Sequence, residues 1–281
     1  MRYTTYSERT GVLDALVPFG AIFRRDARLA LSQPMGFTGR WFSPVIAIAG
    51  FYFVARFVDP HRSLPIDGRQ EGYFAYVSVN LSFMLLLTSA LQSLPQTIRY
   101  DQLVGTLEPI MATASPARVF IAGCFLWPLS VSVTQVTFSL TSASFIMGLD
   151  LRATDFMSLL AFVVLSLLTM SAIGIIGAAG VIAFKQMPPS SYLVGGAASL
   201  LAGTLFPIRL LPPALQLVSW CLPLTHALRG LRAAIAGDSL FAVAGDALWL
   251  AVAATLLLPF SFVVFAYAVR RARSDGTLAH Y

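Results

Sequence analysis

The sequence predicts an all-α membrane protein with six transmembrane helices, and three observations carry the prediction. The 281-residue chain is 57% hydrophobic and only 11% charged, against roughly 25% charged residues in soluble domains. Its apolar residues gather in stretches of about 20, the length that crosses about 30 Å of hydrocarbon. Its basic residues are shared unevenly between the segments that join those stretches, as topology requires.

In order, the apolar stretches are Trp41 to Val58, Tyr73 to Leu94, Val119 to Gly148, Phe156 to Phe184, Ser190 to Leu210 and Ala247 to Val269. The first is the shortest, and Pro44 suits an opening helical turn, where its missing N–H costs nothing. With both ends cytoplasmic, inner segments hold 12 of the 19 arginine and lysine residues and outer segments 7, while acidic residues divide 6 and 7. The net charge of +6 then lies entirely on the inner face. Such a face suits anionic lipid headgroups, and the absence of an aromatic-interleaved basic patch argues against nucleic acid. The N-terminus has no basic region followed by an apolar run and a small-residue cleavage site, so no cleaved signal is expected. One transmembrane domain results: 1–40 cytoplasmic and interfacial, 41–270 the bundle, 271–281 a cytoplasmic tail.

Three segments outside the spans are distinctive. Val12 to Leu31 places Leu13, Leu16, Val17, Ile22, Phe23 and Leu29 at helical spacing beside the basic run Arg24 to Arg28, the pattern of a helix lying in the membrane interface. Pro18 and Gly20 mark where that helix would break. Between the second and third spans, Gln102 to Ala114 fits about three helical turns with Leu103, Leu107, Ile110 and Met111 on one face, and Pro116 ends it. That helix can lie on lipid or present a face to a soluble partner. Between the fifth and sixth spans, FPIRLLPPALQLVSWCLPLTHALRGLR, Phe206 to Arg232, is too Pro-interrupted for a straight span and too apolar for a solvated loop. It reads as short helices dipping into the outer leaflet, where protein or a cavity must satisfy broken backbone; an ordinary outer loop is the alternative.

The spans hold no ionisable residue near their centres, which disfavours a proton- or ion-coupled carrier. Their polar residues are neutral, among them Asn80, Gln92, Thr134, Gln135 and Thr137, and suit weak interhelical hydrogen bonds of about 0.6 kcal/mol. GIIGAAG, Gly174 to Gly180, permits close backbone approach, within the subunit or across a dimer. Gly195, Gly196 and Gly203 make the fifth span similarly slender. Tyr52, Phe53, Phe57, Tyr73, Phe74, Tyr76 and Phe83 suit an aromatic belt at the outer interface. The only lysine, Lys185, lies in AFKQ, so no Walker A loop is present and no nucleotide site is expected. Cys124 and Cys221 lack CxxC spacing, and His61, His226 and His280 lack metal-ligand spacing. No catalytic residue, metal or cofactor is expected in this chain.

Two of these segments resemble the integral-membrane subunit of ABC-2 type transporters. In the inner loop, Gly105, Thr106, Leu107 and Glu108 match the family's Gly-Thr-Leu-Glu, and Ala114, Ser115 and Pro116 match its small-residue-Pro turn. Asp101 stands for the first residue of the family's charged cluster, but Gln102 and Leu103 replace the charges that follow. In the outer segment, Phe206-Pro207, Leu211-Pro212, Leu215-Gln216, Pro223-Leu224-Thr225 and Gly230-Leu231-Arg232 follow the family's landmarks, with Leu222 where asparagine often stands.

The resemblance implies the permease half of an ATP-binding cassette exporter in the cell membrane. Two copies, or this chain and a homologous permease, would pair about a two-fold axis, each docking a cytoplasmic ATPase subunit that uses ATP and Mg. It assigns ATPase coupling to Asp101, Gly105, Thr106, Glu108 and Pro116, the interfacial helix to Arg25 and Asp26, and an outer gate to Pro207, Pro212, Pro223, Thr225 and Arg232. The cargo would be an amphipathic, lipid-like or drug-like compound, or a glycan. An ATP-independent carrier and a non-transporting membrane scaffold are the rival readings.

Overall fold

The structure, a computed structural model, describes residues 12–32, 34–58, 63–66, 69–107, 109, 117–184 and 190–274. Nine α-helices are described: α1 Val12–Leu31, α2 Pro34–Val58, α3 Tyr73–Val104, α4 Ala117–Met147, α5 Phe156–Phe184, α6 Ser190–Leu201, α7 Pro213–Cys221, α8 Pro223–Ile235 and α9 Ala244–Ser274. A 3₁₀ turn, Ile208–Leu210, precedes α7, and an antiparallel hairpin, β1 Ser63–Ile66 with β2 Arg69–Gly72, joins α2 to α3. The hairpin was not expected from the sequence, whose strand signal over eight residues is masked by the apolar runs on either side.

Among the described residues, four helices, α3, α4, α5 and α9, are long and apolar enough to cross a membrane. They form the centre of the molecule: α5 packs against both α9 and α3, and α4 lies along the other side of α3. Large apolar side chains such as Phe145, Phe156, Leu248 and Leu256 point outward and are exposed. That inside-out distribution is what a lipid solvent permits.

The first and fifth expected spans differ from the sequence reading. Helix α2 begins at Pro34, so Pro44 lies inside a helix rather than in its opening turn. A proline there frees the carbonyl of Arg40, four residues back; the Gln135 side chain of α4 donates to that carbonyl at 2.9 Å. The fifth stretch is helical only to Leu201, and α6, at 12 residues, is about 18 Å long. Gly203 then turns the chain at φ +76°, and Thr204 donates back to the Ser199 carbonyl at 2.7 Å.

Close approach of α5 to α3 depends on Gly174. A β-carbon there would lie 2.7 Å from the Leu91 carbonyl oxygen and 2.9 Å from that of Ala90. Leu91 is the carbonyl left without an amide by Pro95 within α3, so small-residue packing serves contact within the subunit at this point. Helix α1 is continuous through Pro18. It packs on α4 through Ile22, which fills the space beside Gly123, and through Phe23, whose ring meets Trp127 edge-on at 5.3 Å.

Candidate functional site

Two groups of sequence-selected residues are assembled at opposite ends of α3. At its C-terminus, Gly105 adopts φ +75°, the left-handed cap that spares a β-carbon clash, and its amide bonds the Gln102 carbonyl at 3.1 Å. The Thr106 amide bonds the Asp101 carbonyl at 2.9 Å, and the Thr106 hydroxyl donates to the Asp101 carboxylate at 3.2 Å. Gln102, Leu103 and Val104 therefore belong to the end of α3, and the helix expected over Gln102 to Ala114 is interrupted at Gly105. The reason is the cap: glycine reaches that backbone region without penalty, and Thr106 supplies a competing local bond.

Arg25 of α1 completes this node. Its Nη1 donates to both Asp101 carboxylate oxygens at 3.3 Å, and its Nε to Asp26 at 2.9 Å. The Asp101 side chain is 3% exposed, while Arg25 keeps 31%. Burial pulls the Arg25 guanidinium down, but Asp101 and Asp26 more than offset it and hold it above its ordinary value. Burial pushes the Asp26 carboxyl up, and Arg25 opposes that shift. Leu107, buried at 2% exposure, anchors the next turn in the inner apolar core with Leu94, Ile98 and Phe120. Four residues that the sequence assigned to two separate elements, Arg25, Asp26, Asp101 and Thr106, thus form one cluster. Glu108 and residues 110–116, Pro116 among them, lie outside the described residues.

At the other end, the proline landmarks begin helices. Pro207 precedes the 3₁₀ turn, Pro212 caps α7 with Pro213 at its first position, and Pro223 opens α8. Each sits where a missing N–H is harmless. Thr225 donates to the Ser219 carbonyl at 2.6 Å and Gln216 to that of Leu211 at 2.8 Å, so α7 and α8 make a tied corner. Arg232 lies over the ring of Tyr76 at 4.3 Å, and Tyr76 donates to the Gly203 carbonyl. Asn80 donates to the carbonyls of Gly203 and Thr204 at 3.2 and 3.1 Å. Tyr76 and Phe83 are therefore buried, not members of an interfacial aromatic belt. Their helix is enclosed by its neighbours on the face they occupy.

Sequence reasoning missed Asp246. It sits in the first turn of α9, 2.5 Å from His226 Nδ1 and 3.3 Å from Arg229. His226 Nε2 faces the Trp220 carbonyl at 2.9 Å, and Trp249 stacks on the ring at 4.5 Å. Both ring nitrogens thus face oxygen atoms, one of the Asp246 carboxylate and one of the Trp220 backbone. An acidic residue opening the last apolar stretch, with one histidine in the preceding segment, was the available signal.

The architecture is that of a helical membrane bundle with a polar node at one end and a Pro-hinged corner at the other. A family model for the ABC-2 type transporter matches residues 18–236. The chain belongs to the ABC-2 type transporter family. No curated protein matches it. As an ABC-2 permease it is a multi-pass transport subunit, of a kind that works with an ATPase subunit. The family match includes both the Arg25–Asp101 node and the α7–α8 corner.

Proposed function

We propose that this permease is half of an ATP-driven exporter that moves an amphipathic, lipid-like or drug-like compound, or a glycan, out of the cytoplasm or inner leaflet. Six membrane crossings place both termini in the cytoplasm, with α2 as the first and the 190–210 region as the fifth. A separate ATPase subunit supplies ATP and Mg chemistry, and a second copy, or a homologous permease, completes the pathway.

The observation that carries this reading is the Arg25–Asp101–Thr106 node. It fastens α1 to the end of α3 where the chain enters the segment containing Glu108. Force applied there by an ATPase reaches α1 and α3 together, because a buried ion pair yields only at high cost. At the far end of α3, Tyr76 and Asn80 hold the 203–204 turn, so tilting of α3 would draw on the corner that includes Pro207, Pro212, Pro223, Thr225 and Arg232. Gly105 is then a close-approach or hinge point, Glu108 an electrostatic contact and Pro116 a rigid elbow.

Affinity purification of the full chain from its native membrane tests the proposal. Recovery of a Walker-A protein with ATPase activity, diminished by Glu108→Lys, supports it. Purification of the chain alone, unchanged by the reversal, moves the carrier and scaffold readings ahead.

A further inference from the structure

A cavity of about 630 Å³ opens between α2, α3 and α4, within the range of about 300–1,000 Å³ usual for small-molecule sites. Thr88, Gln92, Ser93 and Gln96 of α3 line it, with Ser132 and Gln135 of α4. Among the described residues, no carboxylate lines it, and Arg40 is its one ionisable side chain.

The lining offers neutral donors and acceptors in mixture. Thr88 and Ser132 spend their hydroxyl protons on the Met84 and Pro128 carbonyls at 2.6 and 2.9 Å, leaving their oxygens as acceptors. Gln96 donates to Gln92 at 3.0 Å, and each amide keeps further hydrogen-bonding capacity. Ser93 is 6% exposed, and its hydroxyl has no hydrogen-bond partner among the described residues. Such a concentration of polar groups suits a polar occupant, either water or the polar part of a ligand.

We propose that this cavity binds the transported amphiphile through an uncharged, hydroxyl-bearing head group. Hydroxyls both donate and accept, as the serine, threonine and glutamine side chains require of a partner. A cationic head would find no counter-charge among the described lining residues, and an anionic one would find only Arg40. The inference rests on the permease reading for its claim that the occupant is cargo; occupancy itself does not depend on it.

A photoreactive alkyl glucoside, applied to the full chain in lipid nanodiscs, tests the assignment. Adducts are expected on peptides spanning Leu85 to Thr97 and Trp127 to Gln135. n-Octyl glucoside should compete roughly tenfold better than octyl sulfate or octyltrimethylammonium, about what one or two hydrogen bonds contribute. Gln92→Leu and Ser93→Ala should each reduce labelling severalfold without lowering the melting temperature, because Gln92 bonds Gln96 of its own helix and the Ser93 hydroxyl has no hydrogen-bond partner among the described residues. Adducts spread evenly over lipid-facing positions such as Phe145 and Leu248 would overturn the proposal. So would best competition by octyl sulfate, which would make the cavity an anion site on Arg40. Selective labelling without any copurifying ATPase would sustain the pocket and defeat the permease mechanism; the converse pair of results would do the opposite.

Discussion

The Arg25 guanidinium reaches both carboxylate oxygens of Asp101 at 3.3 Å across 76 residues of sequence. Asp101 is nearly fully buried, so removal of its cation leaves a charge without compensation. Breaking a buried pair costs about 3–5 kcal/mol; with Arg25 about a third exposed, Arg25→Ala should cost about 1–3 kcal/mol. The Arg25→Ala, Asp101→Ala double variant should be less destabilised than the sum of the singles. Thermal unfolding in detergent across the four proteins of this cycle measures the coupling, and strict additivity would remove the node from the account.

Gly105 isolates a backbone effect. A β-carbon there meets nothing within 4 Å, yet φ is +75°. Gly105→Ala should therefore destabilise by about 1–2 kcal/mol through left-handed strain alone, and Gly105→Asn by less. Equal melting temperatures for alanine and glycine would show that the cap is not held.

Gly230 is the opposite case, where space decides. A β-carbon would lie 2.0 Å from the Phe162 ring, and Phe162 is fully buried. Gly230→Ala should cost about 1–3 kcal/mol or more by overpacking, and Phe162→Leu in the same chain should recover part of it. A wild-type melting temperature for Gly230→Ala alone would contradict the packing of α8 on α5.

The start of α5 predicts a pH dependence. Asp155 accepts from the Ser158 hydroxyl at 2.6 Å and the Met157 amide at 3.1 Å, and these bonds hold its carboxyl below the ordinary value. A depressed folded-state value stabilises above the unfolded value, near 3.9, and that contribution fades as pH falls through the folded value. Ser158→Ala should thus lower the melting temperature at pH 7 by more than at pH 3. A difference that does not shrink on acidification would rule out the Asp155 bond as its source.

Much of this was legible in the sequence. Long apolar runs locate α3, α4, α5 and α9 because an uninterrupted greasy helix has no other stable setting. The prolines of Phe206 to Arg232 pointed to short helices rather than a straight span, since ring and missing amide restrict proline to few positions. The sequence also singled out Arg25, Asp26, Asp101 and Thr106, but pairing across 76 residues is a matter of tertiary approach that local pattern does not encode. The interruption at Gly105 and the ending of α6 at Leu201 escaped notice for a related reason. Glycine serves helix packing at 174 and a left-handed turn at 105 and 203, and only the neighbours decide which.

In the proposed mechanism an ATPase subunit docks on the segment that follows Gly105. A photoreactive amino acid placed at Glu108 in the native membrane tests it most directly, with the same substitution at Asp150 as the opposite-side comparison. An adduct with a nucleotide-binding subunit is expected from position 108 and none from position 150. No such adduct from 108, or equal adducts from both positions, would contradict it.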